Sequence, residues 1–100
     1  MRTEDPDNLV ERVKNLSLYC QNLAEEAAIL NTPLVNSIVK TNSQDIKLIE
    51  HTLDSLLDFA FDETVLILFK KLCGYYYAIH PQATAEYVLA YRDMWDDEQA

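Results

Sequence analysis

The sequence has one glycine, three prolines and no apolar stretch long enough to cross a bilayer. So few helix and strand breakers exclude a glycine-rich phosphate loop, a flexible linker and a low-complexity segment. The longest apolar run, residues 65–79, is interrupted by Lys70 and Lys71, whereas a membrane helix needs about 20 apolar residues. The first residues are polar and lack the apolar core of a secretory signal. We therefore expect a cytoplasmic protein without a membrane partner.

Basic residues are also few, with 8 Lys and Arg against 17 Asp and Glu and a net charge of −9. A negative field repels phosphate backbones and favours a partner with a basic surface. The basic residues are scattered along the chain, not gathered in one stripe, so we expect no nucleic-acid partner. One hundred residues, 49% of them apolar, suffice for one packed core, which predicts a single domain over residues 1–100.

Motifs that carry chemistry are missing. The sequence contains no Cys-x-x-Cys, no His-Glu-x-x-His and no Glu-x-x-His, the spacings typical of zinc and di-iron sites. Cys20 and Cys73 both fall on apolar stripes, which predicts two buried free thiols in a reducing compartment. We therefore expect a protein that is not an enzyme, with no catalytic residue, no metal and no cofactor.

Apolar residues recur in steps of three and four through almost the whole chain. In the first segment this stripe consists of Leu9, Val13, Leu16, Cys20, Leu23, Ala27 and Leu30. Such a stripe lies on one side of an α-helix and has to be covered by other helices. The spacing predicts an all-α fold, an antiparallel bundle of four or five helices. A long N-terminal helical hairpin would be followed by two shorter C-terminal helices.

The predicted helices cover residues 6–30, 33–61, 63–80 and 82–96. The first would end at Asn31, which accepts the left-handed conformation of a helix end, and Pro33 would open the second. Thr41, Asn42, Ser43 and Asp45 are poor helix formers. The apolar spacing nevertheless continues through them, so we expect the second helix to be bent or broken near residue 42. Asp62 is the predicted N-cap of the third helix.

Four acidic residues on the predicted second helix repeat every fourth position, and we call them the acidic ladder: Glu50, Asp54, Asp58 and Asp62. Like charges at this spacing destabilise a helix slightly. The ladder is either a solvated face of an acidic protein or a docking surface for a basic partner. A metal site is a weaker interpretation, because carboxylates on one helix diverge.

The predicted third helix is apolar all round, so it should be the central one. Its second stripe, which we call the α3 seam because it lies on the third helix (α3, predicted at residues 63–80), consists of Ile67, Lys71, Gly74 and Ala78. Small residues four apart let another backbone approach closely, either within the monomer or across a two-fold dimer axis. Tyr77 is the predicted exposed aromatic anchor for a partner, although the tyrosines could equally form the edge of the core.

The leading hypothesis is a small non-catalytic interaction module that regulates or inhibits a basic partner, in one version a nucleic-acid-binding protein. It would act as a homodimer, with the acidic ladder setting partner choice. A second hypothesis is a dimeric helical DNA-binding transcriptional regulator that uses residues 36–44. A third is a metal or redox enzyme built around His51, His80 and Cys73.

Overall fold

The computed structural model describes residues 6–95 and, within them, the side chains of residues 11–16 and 18–95. This part of the chain forms four α-helices and no strand: α1 (Pro6–Lys40), α2 (Ile46–Leu57), α3 (Glu63–Ile79) and α4 (Pro81–Met94). The all-α fold is as predicted. The expected helix end at residue 96 and the side chain of Leu9 lie outside the described residues.

The predicted turn at Asn31–Pro33 is wrong, because α1 runs through it as a helix of 35 residues. The side chain of Asn31 donates to the backbone oxygen of Ala27 at 2.8 Å, and Thr32 Oγ1 donates to that of Ala28 at 2.6 Å. Pro33 itself is exposed. Buried residues on both sides of it pack into the same core, and this packing outweighs the local preference for a turn.

The chain does break near residue 42, as one of the two alternatives predicted. Asn42 has a φ of 54°, a left-handed conformation that asparagine tolerates better than most residues. Asp45 then caps α2 by accepting the backbone N–H of Leu48 at 3.2 Å. The N-terminal hairpin therefore consists of α1 and α2, with arms of 35 and 12 residues.

The third helix is central, as predicted, since α3 packs against α1, α2 and α4. The core consists mainly of aliphatic side chains from α1, α2 and α3, and Tyr76 is its largest fully buried residue. Asp62 caps α3 as predicted, with its Oδ2 accepting the backbone N–H of Val65 at 3.1 Å. His80 ends α3 and caps α4, because its Nδ1 accepts the N–H of Ala83 at 3.3 Å.

Candidate partner-binding groove

A groove of about 310 Å³ lies between α2 and α4. Its lining consists of Glu50, Asp54, Leu57, Ala83, Glu86, Tyr87 and Ala90. We call it the acidic groove, because three carboxylates surround its apolar side chains. The last turn of α4 is held against α2 by Trp95, whose Nε1 donates to the backbone oxygen of Leu57 at 2.8 Å.

Two tyrosines orient the carboxylates that α2 contributes to the acidic groove. The hydroxyl of Tyr76, from α3, donates to Glu50 Oε2 at 2.5 Å. The hydroxyl of Tyr87, from α4, donates to Asp54 Oδ1 at 2.8 Å and lies 3.3 Å from the backbone oxygen of Glu50. A carboxylate has about four acceptor positions. One tyrosine donor each therefore leaves Glu50 and Asp54 able to accept hydrogen bonds from a partner.

Both tyrosines are protonated donors at neutral pH. Burial, followed by the hydrogen bond to Glu50, raises the pKa of Tyr76 to about 12. Burial also raises the pKa of Tyr87, and the hydrogen bond to Asp54 adds to this shift. In each case the neutral phenol is favoured because an anion would be desolvated and would face a carboxylate. The two hydroxyls therefore remain hydrogen-bond donors to Glu50 and Asp54 at physiological pH.

The structure separates the acidic ladder into two parts. Glu50 and Asp54 lie on α2 and line the groove, whereas α2 ends at Leu57, before the other two residues. Asp58 is the C-terminal cap of α2 and is exposed, and Asp62 caps α3. The four carboxylates therefore do not form one row along a single helix. The ladder as predicted assumed a second helix reaching residue 61.

The aromatic residue of the acidic groove is Tyr87, not Tyr77. Tyr77 is exposed on α3, with 61% of its surface accessible, but it does not line the groove. Sequence reasoning missed Glu86 and Tyr87, because only the packing of α4 beside α2 brings them to the carboxylates. The available signal was Tyr76, which follows Val65, Phe69 and Leu72 at helical spacing, because a tyrosine on such an apolar stripe needs a hydrogen-bond partner for its hydroxyl.

The α3 seam lies open in the described part of the chain. Ile67 is 59% exposed, Lys71 donates from Nζ to Asn36 Oδ1 at 2.7 Å, and Ala78 is exposed. A methyl group added at Gly74 would have no atom within 4 Å. The first alternative, in which another helix of the monomer fills this seam, is therefore wrong. The second, a dimer contact at the α3 seam, stays a prediction.

The residues considered for metal or redox chemistry lie in different surroundings. Cys20 is exposed, which corrects the prediction that it is buried, and Cys73 is buried, with burial raising the pKa of its thiol to about 11. A thiol with this pKa is a poor nucleophile at neutral pH. His51 is exposed, and His80 caps α4. Among the described residues, no three His, Cys, Asp or Glu side chains are placed to hold a metal ion.

Comparisons with protein-family models, with curated proteins and with solved structures give no match for this chain. The class of protein therefore follows from the fold alone, an all-α bundle with an acidic groove between two of its helices. None of its helices, over the residues described, combines the length and the apolar character needed to span a bilayer.

Proposed function

We propose that this chain is a small non-catalytic interaction module of the cytoplasm, which binds a basic protein partner in the acidic groove and thereby regulates or inhibits it. The observation that carries the proposal is the convergence of Glu50, Asp54 and Glu86 from two helices around one groove. The net charge of −9 adds long-range attraction for a basic surface, which raises association rates.

The groove suits a lysine or arginine side chain. Leu57, Ala83 and Ala90 would offer apolar surface to the methylene stem, and the carboxylates would accept hydrogen bonds from the charged head. Charge-assisted hydrogen bonds are about twice as strong as neutral ones, and the tyrosine contacts hold two of the carboxylates in place beforehand. Such a site would discriminate in favour of a basic anchor over an apolar or acidic one.

The test is a comparison of the proteins captured from native cell extract by the wild type and by a double variant, Asp54→Lys with Glu86→Lys. We expect the double variant to lose the partner, and we expect wild-type capture to weaken steeply with salt, since surface charges are screened within about 10 Å at 0.1 M. The control is Glu25→Lys with Asp93→Lys, which changes the net charge equally at exposed positions outside the groove.

Equal loss in the control would assign binding to overall charge and not to the groove. Retention of every partner by the groove variant, with its helicity intact by circular dichroism, would contradict the proposal.

The alternative of a DNA-binding regulator has one supporting observation, the real break between α1 and α2 at residues 41–45. A helix-turn-helix protein would place α2 in the major groove. The exposed carboxylates of Asp54 and Asp58 on or beside α2 would then face phosphates, which opposes docking. Retention of duplex DNA on a filter at low salt would favour this alternative, and its absence would remove it.

A further inference from the structure

The first half of α1 carries an apolar face that the described part of the chain leaves uncovered. Val13 is 59% exposed, Leu16 is 62% exposed, and Cys20 is exposed as well. All the buried side chains of α1 among those described lie further along, between Ala24 and Ile38. The helix is about 52 Å long at 1.5 Å per residue, so its first half extends past the α2–α3 packing.

This uncovered face continues the core stripe of α1. At 3.6 residues per turn, Val13 and Cys20 lie in line with Ala27, which is buried in the core. In the second half of α1 the core covers this side at Ala27, although Leu30 is 71% exposed, and in the first half this side is exposed. Contiguous exposed apolar surface on a helix marks a site where another chain packs.

The spacing of the face identifies what packs there. The residues repeat at positions a and d of a seven-residue pattern from Val13 through Leu16, Cys20, Leu23 and Ala27 to Leu30. A strict seven-residue repeat is the pattern of helices that pair as a coiled coil. The same pattern on the partner is the natural complement, and a second copy of this chain supplies it. We propose that two copies form a homodimer by pairing the first halves of their α1 helices in antiparallel orientation.

The antiparallel orientation follows from a second groove, of about 220 Å³, at the junction of α1 and α2. Leu23, Ala27, Leu30 and Phe59 are among its lining residues. Antiparallel pairing lays the first turns of one α1 along this groove of the other copy, and it places the two bundles at opposite ends of the pair. Parallel pairing would leave both of these grooves empty of the partner helix.

One register pairs the apolar residues of the two helices. In antiparallel coiled coils, position a packs against position d of the other helix, so Val13 meets Leu23 of the second copy and Leu16 meets Cys20 of the second copy. The two-fold axis repeats each of these contacts.

The first test is the sedimentation mass of two leucine variants. We expect the wild type at about 100 µM to sediment as a dimer and Leu16→Glu to sediment as a monomer, because a carboxylate would be buried in the apolar seam. The matched control is Leu18→Glu, on the opposite side of the same helix and 56% exposed, which should stay dimeric. A monomeric wild type, or a dimeric Leu16→Glu, would overturn the proposal.

The second test distinguishes the orientation. In Leu16→Cys, the new thiol should form a disulfide with Cys20 of the second copy under a mild oxidant, while Leu18→Cys should not cross-link through its new thiol. Peptide mass spectrometry identifies the linked pair. A dominant Cys20–Cys20 link would indicate parallel helices and overturn the antiparallel arrangement. If Gly74→Leu is a monomer while Leu16→Glu is still a dimer, the dimer contact lies at the α3 seam.

The dimer and the proposed function are separable in these experiments. The α1 face lies on other residues than the acidic groove, so Leu16→Glu should still capture a basic partner as a monomer. The groove variant, Asp54→Lys with Glu86→Lys, should still sediment as a dimer. If Leu16→Glu captures no partner, or if the groove variant is a monomer, then partner binding and dimerisation depend on each other.

Discussion

At the scale of single residues, Tyr76 links the core of the protein to its candidate binding surface. Its ring is fully buried in the core, and its hydroxyl holds Glu50 at the edge of the acidic groove. A hydrogen bond from a buried hydroxyl to a charged acceptor contributes roughly 1.5–3 kcal/mol. The same side chain therefore stabilises the fold and orients a carboxylate.

The raised pKa of Tyr76 makes stability depend on alkaline pH. Its folded value of about 12 lies above the unfolded value of 10, so the folded state holds the proton more tightly. The contribution is fully present below pH 10 and is lost as the pH rises from 10 to 12. We expect the free energy of unfolding, measured in urea, to fall less steeply over this window in Tyr76→Phe than in the wild type.

The matched control for this prediction is Tyr77→Phe, which changes the neighbouring residue in the same way on the exposed side of α3. Tyr77→Phe keeps the hydrogen bond from Tyr76 to Glu50, so its free energy of unfolding should fall more steeply over pH 10–12 than that of Tyr76→Phe. At pH 8, Tyr76→Phe should be less stable than Tyr77→Phe by about 1.5 kcal/mol. Identical pH profiles for the two variants would contradict the assigned hydrogen bond.

At the scale of secondary-structure elements, α1 shows packing overriding local preference. Pro33 lacks the backbone N–H that would bond to the oxygen of Ile29, and proline inside a helix costs about 3 kcal/mol. The helix nevertheless continues, because Ala28 and Val35, on either side of Pro33, are buried in the same core cluster. A turn at this point would remove one of them from the core.

Replacing Pro33 should therefore stabilise the protein. We expect Pro33→Ala to raise the free energy of unfolding by about 1–3 kcal/mol, since it restores a helical hydrogen bond and removes a steric clash. Ser37→Ala, at an exposed position one turn further along α1, should change it by about 0.5 kcal/mol or less. Thermal unfolding checks both. A destabilised Pro33→Ala would mean that the helix is interrupted at residues 31–33.

At the scale of the whole molecule, the first part of α1 stands apart from the packed bundle. The molecule is elongated, with extents of 58, 32 and 22 Å, and the described side chains of residues 11–20 are all exposed. Few core contacts depend on this segment. Its apolar face is accordingly available for the proposed dimer without any cost in core packing.

Deleting residues 1–20 should leave the bundle folded. We expect the shortened chain to keep a cooperative thermal transition and the near-ultraviolet circular dichroism of Tyr76 and Trp95, and to sediment as a monomer. Deleting residues 1–31 should abolish the cooperative transition, because it removes Ala24, Ala27 and Ala28 from the core. A shortened chain without residues 1–20 that fails to unfold cooperatively would contradict this division of the molecule.

Much of the fold could be predicted from local pattern, and the candidate site could be predicted only in part. The N-cap at Asp62 and the central position of α3 followed from residue types and periodicity. Glu50 and Asp54 were predicted as partner-binding residues. Glu86 and Tyr87 were not, because they come 32 or more residues later in the chain. Periodicity describes one helix at a time and contains no information on which helices become neighbours.

The amino-acid pattern by itself determined the helical class, the acidity and the apolar stripes, because these depend on residue type and on the 3.6-residue repeat. The packing of the helices decided the rest. Because of this packing, α1 continues as one helix past Pro33, Cys73 is buried while Cys20 is exposed, and α4 lies beside α2 to form the acidic groove. The physical reason is that an apolar stripe must be shielded from water by another helix. Only the tertiary structure determines which helix shields it and which part of the stripe stays exposed.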